Sequence, residues 1–218
     1  MVLIDCYLFL GWAYKFIRTM VGGCGTFFCV GRISWSMGKR KGMGGHQGSD
    51  AETVVWITPP HVLAALGRFD LDPCSSVGHP WPCAVENWVF PAHDGLREAW
   101  HGRVWLNPPY GQECGKWLRK LSEHGCGTAL VFARTETEMF QRWVFPAASG
   151  VLFLSGRLHF HYPDGRRAVA NAGAPSCLIA YGESDAAVLR SCGLHGAFFG
   201  KASMVGLSVV GTPQLSLF

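Results

Sequence analysis

No two cysteines in the chain are spaced Cys-x-x-Cys. The nine present, Cys6, Cys24, Cys29, Cys74, Cys83, Cys114, Cys126, Cys177 and Cys192, are odd in number and irregular in spacing. This argues against a disulfide framework and for a reduced, cytoplasmic setting. The stretch CSSVGHPWPC holds Cys74, His79 and Cys83, but its spacing fits none of the familiar zinc patterns and shows no fourth ligand, so no metal is expected. Charge is also scarce, with 16% Asp, Glu, Lys and Arg and a formal net charge of +4. That balance permits a polyanionic partner and falls short of a dedicated basic nucleic-acid module. Long apolar runs are missing as well. In the aromatic-rich segment that opens the chain, Asp5, Lys15, Arg18 and Arg32 interrupt the sequence, and the longest uncharged run, residues 19–31, is too short and too rich in glycine to cross a bilayer as a helix. A secretory leader starts with positive charge, whereas the first charge here is Asp5, and no membrane association is expected.

What the chain does have is enough apolar residue, 49% of 218, for one well-buried domain. Residues 1–43 read as an apolar and then flexible extension, its first 36 residues lying upstream of a start at Met37 or Met43. The glycines and mixed charges of GKRKGMGGHQGSDAE, residues 38–52, mark a flexible lead-in. The domain is expected over residues 44–182, followed by a C-terminal extension over 183–218, with no internal repeat.

From about Val54 the pattern alternates. TPPHVLAALG predicts a helix with Thr58 as N-cap, Pro59 in the first turn and Gly67 as its stop. RFDLDP is a strand, and a long loop rich in Pro, Trp and His runs to Trp100. RVWLN, TALVFA and GVLFL are strands, CGKWLRKLSEHG and TETEMFQRWVFPAA helices, and RLHFHYP and SCLIAYG a closing strand pair around the turn-rich residues 164–175. Strands alternating with helices imply an α/β fold, a mostly parallel sheet with helices on both faces and an antiparallel edge.

Ligands of such sheets bind beyond the carboxyl ends of the strands. Three segments meet there: Asp72-Pro73-Cys74-Ser75, Asn107-Pro108-Pro109-Tyr110 and Arg134-Thr135. In the second, each proline removes an N–H and holds the residue before it in extended geometry, which makes a rigid, open loop. The Asn107 side-chain oxygen and a neighbouring carbonyl then offer two acceptors to one amino group, and Tyr110 offers a flat face to a planar ring. The constellation suits an exocyclic aromatic amine such as adenine N6. An ordinary strand-ending turn also uses Asn and Pro, but with proline near about 5% usage the specified tetrapeptide at a strand end is rare by chance.

At these residues the chain resembles the phage and prophage family of DNA N6-adenine methyltransferases, small Dam-like enzymes dependent on S-adenosylmethionine. The shared features run in order: GGHQGSDAETVVWITPP, LGRFDLDPCSS, DGLREAWHGRVWLNPPYG, the helix with Trp117, ALVFARTET, FLSGRLHF and APSCLIAYG, spanning residues 44–182. The resemblance implies a Rossmann-like S-adenosylmethionine-dependent methyltransferase fold and transfer of a methyl group to N6 of an adenine flipped out of double-stranded DNA. It implies a catalytic set of Asn107, Pro108, Pro109 and Tyr110, and a cofactor pocket lined by Trp56, Thr58, Pro59, Asp72, Pro73 and Cys74. The glycine-rich cofactor loop of most methyltransferases is absent, and DPCSS stands in its place. Asp94, in HDGL, is expected to serve an Asp-Gly turn. Arg157, Arg166 and Arg167 lie in a basic hairpin suited to phosphate contact. No obligate protein partner is evident and a monomer is expected. Two other readings are methylation of protein glutamine or RNA, and a DNA-binding prophage relic without activity.

Overall fold

The computed structural model describes residues 3–9, 12–18 and 55–202. The predicted flexible lead-in and the end of the chain lie outside them. The chain divides into two compact units, Met1–Gly45 and His46–Phe218. In the first, β1 (Leu3–Phe9) and β2 (Trp12–Arg18) pair antiparallel, from Leu3 opposite Arg18 to Phe9 opposite Trp12.

The second unit is a mixed α/β domain. Its order is α1 (Pro60–Leu66), β3 (Leu71–Asp72), β4 (Glu86–Asn87), β5 (Val104–Leu106), α2 (Cys114–His124), β6 (Gly127–Phe132), a π-helical turn Phe140–Val144, β7 (Gly150–Leu154), β8 (Ser176–Tyr181), α3 (Glu183–Ser191) and β9 (Gly196–Gly200). The seven strands lie in the order β4-β3-β5-β6-β8-β7-β9. The first four are parallel, and β8 enters antiparallel between β6 and β7, with β9 antiparallel on β7.

The strand sequences are apolar almost without interruption because both faces are covered. On one face Val104, Leu106, Ala129, Val131, Val151, Cys177 and Ile179 pack with Trp117, Leu118 and Leu121 of α2 and with Phe140 and Val144. On the other, Trp105, Leu130, Leu152, Leu178 and Ala180 pack with Val62 and Leu66 of α1 and Ala186 and Leu189 of α3. Successive residues of each strand therefore serve opposite layers, as the period of two requires. Each fully buried aliphatic side chain contributes about 1.5–3 kcal/mol. Among the described residues no helix is long and apolar enough to cross a membrane.

Four local expectations need correction. The antiparallel part is half the sheet rather than an edge, and it continues past Gly182 into α3 and β9. RLHFHYP is not a strand: only His161 makes bridges, one to Ile57 and one to Arg167, because Pro163 and the turn at Asp164-Gly165 interrupt the pairing. The helix predicted over residues 135–148 contracts to a short helical turn ending in Phe140–Val144, where Phe145 N–H reaches the Phe140 carbonyl. Thr58 does not cap α1, whose N-cap position is Pro59 and whose start has no side-chain cap. Gly67 does stop it, with φ 79° and its N–H on the Leu63 carbonyl at 3.1 Å.

Candidate active site

Because β3, β5 and β6 run parallel, Asp72, Asn107 and Phe132 leave the sheet along one edge. There a cavity of about 520 Å³ is lined by Trp56, Ile57 and Thr58 before α1, Asp72 at the end of β3 with Cys74, Ser75 and Ser76 after it, His79 and Cys83 of the following loop, and Trp105 and the stretch from Asn107 to Tyr110 around the end of β5. Eight of the ten residues read from the sequence as catalytic or cofactor-binding share this wall: Trp56, Thr58, Asp72, Cys74, Asn107, Pro108, Pro109 and Tyr110. Pro59 and Pro73 are buried one residue behind it.

The polar groups are held in specific ways. Asn107 donates through Nδ2 to the Trp56 carbonyl at 2.9 Å, which fixes the amide and leaves Oδ1 buried with no hydrogen-bond partner. The Asn107 carbonyl accepts from the Cys74 thiol at 3.4 Å, tying the ends of β3 and β5 together. The Thr58 hydroxyl, freed from capping, is buried and unpartnered, as are those of Ser75 and Ser76. Asp72 is buried, accepts the Cys74 N–H at Oδ1 (3.1 Å), and its carboxyl rises to about 7. The dominant cause is loss of solvation, which the hydrogen bonds from Cys74 and Cys83 only partly offset. Burial and the adjacent Asp72 push the Cys74 thiol up in turn.

Tyr110 stands where this cavity meets a second one of about 720 Å³, lined by the start of α2, the end of β6 and the turn carrying Met139 and Trp143. One face of its ring is taken by Phe132, with centroids 4.2 Å apart and planes at 15°, and Phe160 approaches edge-on at 6.3 Å. Its hydroxyl is buried without a partner, and burial raises its pKa far above the ordinary phenol range. Phe132, in TALVFA, and Phe160, in RLHFHYP, are not marked as site residues by the sequence.

Gly95 of HDGL makes the loop fit. A Cβ there would lie 2.0 Å from the Pro73 carbonyl oxygen and 2.9 Å from the Trp117 ring. Asp94 serves its own turn, accepting the Leu96 N–H at 3.1 Å, and lies outside the wall of this cavity.

The basic hairpin borders the site through Tyr162, whose ring lies 5.5 Å from Trp56. Arg166 pairs with Asp164 at 2.6 Å and lies over the Tyr162 ring at 5.3 Å. Arg157 turns inward to donate to the Ala172 carbonyl at 3.0 Å, and Arg167 is exposed. The guanidinium groups of Arg157 and Arg166 are thus held by different parts of the hairpin.

Nothing in the sequence points to Asp185, fully buried in α3, whose Oδ1 accepts the Arg103 Nε–H at 3.0 Å and the Thr128 hydroxyl at 2.7 Å. Arg103 further donates to the carbonyls of Leu66 and Arg68, each at 2.9 Å, so one ionic centre joins α1, β5, β6 and α3. A second feature is the convergence of Asp72, His79 and Cys83, whose ligand atoms all lie within 4.8 Å of one another.

The family profile described as DNA N-6-adenine-methyltransferase (Dam) matches residues 46–189, more than half of the chain and all of the site just described. No curated protein and no solved structure matches it. On that match, the chain belongs to the Dam family of DNA N-6-adenine-methyltransferases.

Proposed function

We propose that this domain is a Rossmann-like methyltransferase that moves a methyl group from S-adenosylmethionine to N6 of an adenine in double-stranded DNA. The observation that carries the reading is the Asn107 carboxamide: its nitrogen is committed to the Trp56 carbonyl, and its oxygen is left buried and unpartnered on a wall shared with Asp72 and Tyr110. A buried acceptor without a donor costs about 1–3 kcal/mol, so it favours a ligand that brings an N–H to it.

The residues present fit the cofactor. The cavity is within the range for a ligand of that size. Asp72 offers a buried carboxylate to an ammonium group, Thr58 an uncommitted hydroxyl, and Trp56 an aromatic wall. When bound, S-adenosylmethionine supplies a methyl carbon on a sulfonium leaving group.

Adenine N6 is a weak nucleophile because its lone pair is delocalised into the ring. Asn107 Oδ1 and the Pro108 carbonyl accept its two N–H groups, favouring pyramidal nitrogen and localising the lone pair. The nitrogen so held would be the nucleophile toward the methyl group that the cofactor supplies, and its surplus proton would pass to solvent. Extrusion of the base costs a few kcal/mol of stacking, offset by contact with the Tyr110 ring. Arg166 and Arg167, on the hairpin beside Trp56, and Arg157 at its base are assigned to the DNA backbone. Catalysis in this scheme is positioning and fixed dipoles.

The test is incubation of the full chain with methyl-labelled S-adenosylmethionine and, separately, duplex DNA, RNA and protein acceptors, followed by nucleoside analysis. Label in N6-methyladenine from DNA is the expected result; label confined to RNA or protein, or to no acceptor, refutes the proposal.

A further inference from the structure

We infer that Asp72, His79 and Cys83 form a binding site for one divalent transition-metal ion of the zinc class. The three supply a carboxylate oxygen, an imidazole nitrogen and a thiol sulfur, the donor set such an ion prefers. All three ligand atoms lie within 4.8 Å of one another, and His79 Nε2 is 3.4 Å from Cys83 Sγ. Around a tetrahedral zinc ion neighbouring ligand atoms stand about 3.3–3.8 Å apart, by the bond lengths of such sites. The nitrogen–sulfur pair is thus already at coordination distance, and the longest separation closes by small side-chain rotations.

The supporting frame is stiff. Asp72 is fixed at the end of β3, where its carbonyl accepts the Trp88 N–H at 2.8 Å. His79 and Cys83 bracket Pro80-Trp81-Pro82, whose two prolines limit the loop's backbone. Trp81 donates its indole N–H to the Thr58 carbonyl at 3.1 Å, and Cys83 N–H is held by Asn87 Oδ1 at 3.1 Å. The donors therefore do not need to be gathered from a disordered loop.

Charge and hydrogen bonding point the same way. Asp72 and Cys83 are buried, and among the described residues no basic side chain makes an ion pair with Asp72. His79 Nδ1 is buried without a hydrogen-bond partner. An ion of charge +2 balances one carboxylate and one thiolate, the Cys83 proton passing to solvent on coordination. With three protein ligands the fourth position faces the 520 Å³ cavity that all three residues line, the arrangement of an open rather than a closed site. The sequence spacing hid this, because the third ligand is Asp72 rather than Cys74, whose thiol is turned to the Asn107 carbonyl.

The ion and the ammonium group of the proposed cofactor compete for the one carboxylate of Asp72, so the test reads the metal alone, in the absence of S-adenosylmethionine. The full chain, stripped with a chelator under reducing conditions, is titrated with Co²⁺. The expected result is one equivalent bound with a thiolate-to-cobalt charge-transfer band and the intense visible bands of a tetrahedral centre, displaced by Zn²⁺. Cys83→Ser abolishes the charge-transfer band, and His79→Ala, in a partly exposed loop, weakens binding by more than the roughly ten-fold that loss of an outer-shell partner of a ligand costs. Cys126→Ser, remote from the cluster, leaves the spectrum unchanged. Absence of the band in the wild-type protein, or its survival in both Cys83→Ser and His79→Ala, overturns the site and leaves only a hydrogen-bonded cluster. S-adenosylmethionine binding by His79→Ala, measured in parallel without metal, reports on the cofactor pocket separately.

Discussion

The side chain of Asn107 and the backbone of Trp56, 51 residues apart, are joined by a 2.9 Å hydrogen bond that sets the orientation of the amide. The segment before α1 thus does more than lead into the domain: it decides which atom of Asn107 is left without a partner. Substitution of Asn107 by Ala is expected to lower the methylation rate by about 10²–10³, the effect of losing one preorganised hydrogen-bonding group. S-adenosylmethionine affinity, read by calorimetry, should change little. Near-normal turnover in this variant would remove Asn107 from the mechanism.

Tyr110 separates the ring from its hydroxyl. The hydroxyl is buried without a partner, so Tyr110→Phe should keep activity and match or exceed the wild-type melting temperature. Tyr110→Ala loses the stacking surface and should weaken binding of duplex DNA by about 1–3 kcal/mol, the value of one base–aromatic stack. A gel-shift or anisotropy titration distinguishes the two, and equal DNA affinity in Tyr110→Ala would show that the ring does not meet the base.

The ionic centre around Asp185 should be structural. Removing its carboxylate leaves Arg103, with 21% of its side chain exposed, without its buried partner. Asp185→Ala is expected to cost about 3–5 kcal/mol in denaturant unfolding, as for other broken buried pairs.

Gly95 is required by space rather than by backbone freedom. With the Pro73 carbonyl 2.0 Å from where a Cβ would sit, Gly95→Ala must push the Asp94 turn away from the end of β3. Both the melting temperature and S-adenosylmethionine affinity should fall together, because Pro73 lies between two residues of the cavity wall.

Cysteine labelling offers a check on packing. Burial raises the Cys114 thiol to about 12. Below that value the group is protonated and the nucleophilic thiolate is scarce, so at pH 8.5 Cys114 should resist iodoacetamide in the folded protein and react on unfolding. Peptide mass spectrometry reads the difference; rapid native labelling of Cys114 would contradict the packing of α2 on the sheet.

The sequence made the parallel half of the sheet legible because RFDLDP, RVWLN and TALVFA are short apolar runs bounded by turn residues, and CGKWLRKLSEHG carries a regular apolar face. Asn107 and Asp72 could be brought together on paper because parallel strands end on one side. What failed depended on tertiary contacts. RLHFHYP has strand-like alternation, but Arg157 and His159 bond to the carbonyls of Ala172 and Ala168 and no continuous partner strand is supplied. Thr58 has the chemistry of an N-cap, yet Pro59 takes that position. The nearness of Asp72 to His79 and Cys83 is likewise a product of how one long loop folds back, which spacing along the chain does not encode.

Tyr110 belongs to the walls of both cavities, and Phe132 leans on the same ring. An occupant on either side presses on one phenol, so the shape of each chamber is conditional on what fills the other. Such a shared partition couples the affinities of the two chambers for their occupants, by the same factor in either direction.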